Sequence, residues 1–208
     1  MDWTHYSLFV VAGLTVAAAP GPTVLQIFAQ SLTGDIRRPV SLIAGSLLAN
    51  ALMVSATVLG ISAVILASQT AFDIMRWIGS AYLIYLGIQY WRMRGAVLSP
   101  AGLPPAKPYR VLFFQAALTS LTNPKGLVFY IAFLPQFVAP GGDPQFQLAV
   151  LGASYILLCL IADGGYVLAG RMLTRLFTTP RAMRITNRLT GTALIAAGLS
   201  LLRVQRSA

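Results

Sequence analysis

The stretch VLFFQAALTSLTNPKGLVFYIAFLPQF, residues 111–137, places a lysine in the middle of an apolar run. The run is longer than the roughly 20 apolar residues that cross the hydrocarbon of a bilayer. Lys125 near its centre is expensive, because a charge at bilayer depth costs about 2.5–3.5 kcal/mol on insertion scales. Pro124 beside it removes a backbone donor and breaks the helix. Broken backbone is tolerated at that depth only where protein or a water-filled cavity surrounds it. A charge and a helix break at one point of an apolar segment point to a transporter.

The rest of the chain agrees. Its 208 residues are 57% hydrophobic and 10% charged, where a soluble domain carries about 25% charged residues. Mean hydropathy is +0.74. Residues 6–34 and 39–72 contain no charge at all. The expected class is an all-α polytopic membrane protein, one transmembrane transporter domain over 1–208, with the lipid bilayer as its surroundings. The net charge of +10 reads as a loop bias set by membrane insertion, not as a nucleic-acid surface. The single cysteine, Cys159, excludes an intrachain disulfide and reads as a small apolar packing residue. The N-terminal segment is expected to be a retained span, since no Lys or Arg precedes Arg37 to form the basic region of a signal peptide.

Six spans fit the apolar runs, at about 4–30, 40–66, 72–91, 111–137, 147–170 and 187–203. The first, third and fifth loops hold Arg37, Arg38, Arg92, Arg94, Lys107, Arg110, Arg171, Arg175, Arg181, Arg184 and Arg188; the other side holds Arg76, Arg203 and Arg206. The basic side is cytoplasmic by this bias, which puts both termini outside. The Pro-rich segment 95–108 is a connector between repeat 1 (about 1–94) and repeat 2 (about 109–208). Three spans per repeat invert the second relative to the first. Pro20-Gly21-Pro22 breaks helix 1 and Asn123-Pro124-Lys125 breaks helix 4, and Pro20 and Pro124 stand 104 residues apart, half the chain length. Paired interruptions in corresponding helices of two inverted repeats mark a central transport site.

The expected substrate-binding residues are Pro20, Gly21, Pro22, Thr23, Asn123, Pro124, Lys125 and Gly126. A helix restarting at Pro22, and another capped by Asn123 with Pro124 in its first turn, present unpaired N–H groups and a positive end to an anion. Lys125 adds a full charge. Carbonyls freed by Pro20, Pro22 and Pro124 are available to a substrate ammonium. The two poles suit an amino-acid zwitterion. The plainer readings stand beside these: a proline kink alone, or a lysine paired with a carboxylate for folding. Asp163 is the only acid deep in a span and is the proton-coupling candidate; its alternative is a structural counter-ion of Lys125. Gly164-Gly165 after it permits close helix approach. Gln26, Gln30, Asn50, Gln115 and Gln136 default to structural amides. Trp77, Tyr90 and Trp91 read as interfacial anchors. His5 has no partner cluster for a metal or a nucleophile, and no phosphate-cradling Gly-Lys-Ser/Thr motif occurs. No cofactor, metal site or enzymatic activity is expected.

Pro20-Gly21-Pro22, Leu121-Thr122-Asn123-Pro124-Lys125-Gly126, Phe133-Leu134-Pro135-Gln136-Phe137-Val138 and the span Trp77–Gln89 together resemble signatures of the LysE/RhtB family of bacterial amino-acid exporters, over nearly the whole chain. The resemblance implies export of small amino acids or close derivatives across the inner membrane, driven by protons, and is nearer to the homoserine/threonine and neutral amino-acid branch. The alternative within the wider superfamily is an exporter of a metal cation or other small solute. A homodimer is compatible with either.

Overall fold

The computed structural model describes residues 3–67, 69–92, 107–139, 142–172 and 180–203, and all regular structure among them is helical. The eight α-helices among these residues are α1 (Trp3–Ala18), α2 (Pro22–Ser31), α3 (Arg37–Ala67), α4 (Gln69–Arg92), α5 (Tyr109–Leu121), α6 (Pro124–Val128), α7 (Pro144–Met172) and α8 (Pro180–Arg203). Most of the connector (residues 95–106), Pro140 and Gly141 of the loop before α7, and Arg94, Arg175 and Arg206 of the charge bias lie outside the described residues. Residues Arg37–Gly60 and Pro144–Arg171 each form a helix long and apolar enough to cross a membrane; α1 and α2, bent by 63° at their break, make a third if the pair is one span. Leu48, Leu52 and Leu59 on α3 and Leu157, Ile161 and Leu168 on α7 face outward, as surfaces that meet lipid do.

The fourth apolar run is more broken than its sequence suggests. After α6 the chain makes a π turn at Phe129–Phe133 and a 3-10 turn at Leu134–Phe137. Pro135 explains both: it has no N–H for the Ile131 carbonyl, and its ring crowds that carbonyl. The turn widens, so that the Leu134 N–H bonds Phe129 O, five residues back. The same widening brings Phe129, Tyr130 and Phe133 into the core, beside Phe9, Val16 and Leu151.

α1 and α2 lie on α7, α5 lies on α3, α3 meets α7, and α4 lies along α8. Along α4 and α8, Gly198 faces Ser80 and Ile84, Gly87 faces Gly191 and Ile195, and Gly191 faces Trp91. Numbers rise on one helix as they fall on the other, so the two are antiparallel. A methyl group at Gly87 would meet Gly191 O at 2.6 Å and Ile195 N at 3.0 Å; at Gly191 it would meet Gly87 O at 2.5 Å and Trp91 N at 3.1 Å. No side chain fits there, and Gly87→Val is expected to cost about 1–3 kcal/mol by overpacking. A thermal melt of the purified protein checks this; an unchanged midpoint would mean that the helices separate at no cost. Gly164 and Gly165, by contrast, have open space beside them, which corrects the expectation that this pair brings helices together.

Where the loop after α2 meets the start of α5, Tyr109 OH donates to Asp35 Oδ2 at 2.9 Å and Arg38 Nε to the same oxygen at 3.4 Å. The Tyr109 hydroxyl, then the Arg37 N–H and the Arg38 guanidinium, hold the Asp35 carboxyl below its ordinary value. A lowered folded value makes this contribution complete above the ordinary carboxylate range, and it is lost as pH falls through the lowered value. Tyr109→Phe is expected to move the Asp35 midpoint up. Carboxyl 13C resonances of Asp-labelled protein read it, since all five acids of the chain are Asp; an unmoved midpoint would remove Tyr109 from the interaction.

Candidate functional site

Helix α1 ends where Pro20 and Pro22 withdraw the N–H groups that would have bonded Val16 O and Ala18 O. Other helices supply the missing donors. Lys125 Nζ donates to Val16 O at 3.1 Å and Ala19 O at 3.0 Å, Tyr166 OH to Ala18 O at 2.7 Å, and Tyr90 OH to Pro20 O at 2.6 Å. The fourth run breaks at Asn123, whose backbone is extended and whose Oδ1 accepts the Lys125 N–H at 3.0 Å. This is the N-cap that its sequence predicts. Ser120 O, freed by Pro124, accepts from Asn123 N at 3.2 Å. The proline-freed carbonyls are thus occupied by the protein, which corrects the expectation that they await a substrate ammonium.

The two breaks meet. A cavity of about 60 Å³ is lined by Gly21, Thr23, Asn123, Lys125, Gly126 and Asp163, together with Ala17, Val24, Ser46, Asn50, Ser120, Tyr130, Tyr155 and Cys159. At the roughly 10–15 Å³ of free space that one water needs on this measure, it has room for about four to six waters. Pro20 and Pro22 are not among the described lining residues: Pro22 is exposed, and these prolines shape the cavity through the backbone.

Lys125 spends two of its three N–H donors on the end of α1. That end carries the negative pole of the helix, which favours a cation. The Lys125 ammonium therefore stands on backbone carbonyls instead of a carboxylate, and it has one donor left. Asp163 is 5% exposed and has neither a hydrogen bond nor an ion pair within 4.0 Å among the described residues. The alternative reading, Asp163 as the direct counter-ion of Lys125, has no contact within 4.0 Å to carry it, although both line one cavity. Tyr130 OH is buried without a partner among the described residues. Tyr130 packs edge-on against Tyr155, which stacks on Phe129 at 3.7 Å between centroids. Opposite, Thr23 Oγ1 and Ser120 Oγ are 3.1 Å apart and Ser120 Oγ donates to Ser46 Oγ at 3.3 Å.

Sequence reasoning missed several of these residues. Tyr90 is 7% exposed and holds the first break, so it is no interfacial anchor; Trp77 and Trp91 are exposed, as anchors are. Cys159 packs against the core as expected and also lines the cavity. Tyr130 and Tyr155 gave no signal, because a tyrosine within an apolar run looks the same facing lipid or facing a cavity.

Membrane-length helices, with a half-buried lysine and a buried aspartate in one cavity, mark a helical membrane protein with a polar centre. The chain belongs to the LysE type translocator family, which residues 14–205 match. It is 31% identical over 201 residues to an uncharacterized membrane protein of Vibrio cholerae, covering 97% of this chain and 98% of the relative. It is 28% identical to a homoserine/homoserine lactone efflux protein of Salmonella typhimurium, over 95% of this chain and 96% of that one. It is 23% identical to a leucine efflux protein of Salmonella choleraesuis, over 97% and 96%. No solved structure matches.

Proposed function

We propose that this protein is a secondary exporter of small neutral amino acids or close derivatives across the bacterial inner membrane, coupled to protons. The observation that carries the proposal is one cavity lined both by Lys125, with one donor left after its two carbonyl bonds, and by Asp163, with no ion pair within 4.0 Å among the described residues. A free ammonium N–H and a carboxylate without a partner among the described residues complement the carboxylate and ammonium of a zwitterion, and a buried charge left unsatisfied is costly unless a ligand meets it. The N-terminus of α2, with Gly21 and Thr23 at the cavity, adds a positive pole on the carboxylate side. A hard cation would call for more oxygen ligands than one carboxylate. The relatives named for homoserine and leucine efflux support a neutral substrate.

The architecture proposed with this function is one domain of six spans in two inverted repeats, with the basic side cytoplasmic. Gly87 and Gly191 support it: they stand 104 residues apart, as Pro20 and Pro124 do, and touch each other reciprocally. Such self-complementary contact is what a two-fold axis produces. The antiparallel course of α4 and α8 fits an axis in the membrane plane, because an axis along the normal would leave corresponding helices parallel. Loss of homoserine, threonine or leucine from loaded proteoliposomes tests the function; retention of every neutral amino acid by vesicles holding folded protein would refute it.

A further inference from the structure

A second cavity, of about 170 Å³ and mostly apolar on its inner surface, lies between α2, α3 and the start of α5, with Leu42, Leu112 and Ala29 in its wall beside Gln26, Gln30, Gln115 and Lys107. It stands at the basic end of the molecule, where Arg38 donates to Gln30 Oε1 at 3.5 Å and Lys107 is exposed. A ladder of polar groups runs inward from it. Lys107 Nζ donates to Gln115 Oε1 at 2.8 Å, Gln115 Nε2 to Gln26 Oε1 at 3.1 Å, and Gln26 Nε2 to Thr119 Oγ1 at 3.3 Å. One turn further along α2 is Thr23, and next to Thr119 on α5 is Ser120; these two, with Ser46, line the central cavity. The Thr23–Ser120–Ser46 hydroxyls close the inner end of this path, and the Gln26–Gln115 bridge crosses it.

An amide pair between membrane helices is ordinarily structural, contributing about 0.6 kcal/mol. A structural pair does not require an adjoining cavity, a third amide on the same wall, or a lysine at its outer end. Neutral amides and hydroxyls also suit passage, since they exchange hydrogen bonds with a solute without trapping it, and conduction needs binding weak enough to release. We propose that this cavity is the intake vestibule of the exporter, through which an amino acid passes from the basic side to the central cavity. Lys107 meets its carboxylate at the mouth, and the Gln26–Gln115 bridge is the closed barrier in this conformation. The inference rests on the exporter reading above and extends it to a route.

The test uses the full chain in proteoliposomes. Ala29→Cys, made together with Cys159→Ala so that the introduced thiol is the only one, places a thiol in the vestibule wall and is read against Cys159→Ala alone, treated with the same sulfonate-bearing methanethiosulfonate. Before treatment the two should export leucine or homoserine at the same rate. After treatment the Ala29→Cys protein should export more slowly than treated Cys159→Ala by about tenfold or more. Lys107→Gln should raise KM by about threefold or more, and Lys107→Arg should restore it. Full export by Ala29→Cys protein whose peptide mass shows the introduced thiol modified places the route elsewhere. Failure of the reagent to reach that thiol shows that the cavity is not open to the basic side. Either result overturns the vestibule and leaves the exporter standing. An unchanged KM in Lys107→Gln overturns the role of Lys107. If wild type exports neither amino acid, the exporter reading falls and the vestibule with it.

Discussion

Lys125→Ala is expected to lose export by roughly 10- to 150-fold, because a hydrogen bond to a charged group contributes about 1.5–3 kcal/mol and 1.4 kcal/mol is a tenfold change. The substitution removes the only cationic side chain among the described lining residues and withdraws a donor from Val16 O and Ala19 O; Val16 O keeps the Ala19 N–H at 3.2 Å. Ala19 O, left without its donor, costs about 1–3 kcal/mol where water does not replace the amine, so a lowered melting midpoint is expected as well. The two effects separate in protein that is inserted and folded. There, a purely structural lysine predicts normal export per folded molecule, and a substrate-binding lysine predicts the loss. Lys125→Arg keeps the charge, but its planar fork is larger than an ammonium and differently hydrated. It is expected to fail in part, since two carbonyls 3.0 and 3.1 Å from one nitrogen fit a compact donor. Normal export by folded Lys125→Ala would show that the lysine only caps α1.

Asp163→Asn is expected to keep exchange of amino acid across the membrane and lose its acceleration by an imposed pH gradient. The side chain is buried, lines the cavity and makes no hydrogen bond among the described residues, so a proton can come and go there without breaking one. A membrane potential of 100 mV supplies about 2.3 kcal/mol per charge moved, enough for roughly a fifty-fold gradient of a zwitterion per proton at about 1.4 kcal/mol per tenfold. Export coupled to protons in this way would need no nucleotide. The asparagine is nearly isosteric and carries no titratable proton. If the variant still responds fully to the pH gradient, the proton moves through another group.

What was legible in the sequence is local chemistry. Proline removes a donor wherever it stands, so both helix breaks, the Asn123 cap and the juxtaposed Lys125 could be read residue by residue; the helices lie within about three residues of their apolar runs except α8, which begins at Pro180, seven residues before its run. What was not legible depends on who faces whom. The acceptors of Lys125 are backbone carbonyls of a helix more than a hundred residues earlier, and a backbone atom carries no sequence signal. Tyr90 looked like an interfacial anchor because its amphipathic ring suits either a headgroup or a buried carbonyl. Gly164-Gly165 looked like a packing surface and is not one, because glycine permits close approach without specifying a neighbour. One signal was there to be found: Gly87 and Gly191 repeat the 104-residue spacing of the two prolines, and they are the pair that touch.

The central claim is that the cavity between the two breaks holds the amino acid, and Cys159 reports on it directly. It lines that cavity with Lys125 and Asp163 and is the only cysteine of the chain, so alkylation of wild-type protein reads one site. At leucine or homoserine concentrations about ten times Kd, occupancy should slow labelling of Cys159 about tenfold, and Lys125→Ala should remove that protection. A labelling rate unaffected by an amino acid that the same preparation exports would place the substrate elsewhere and contradict the account.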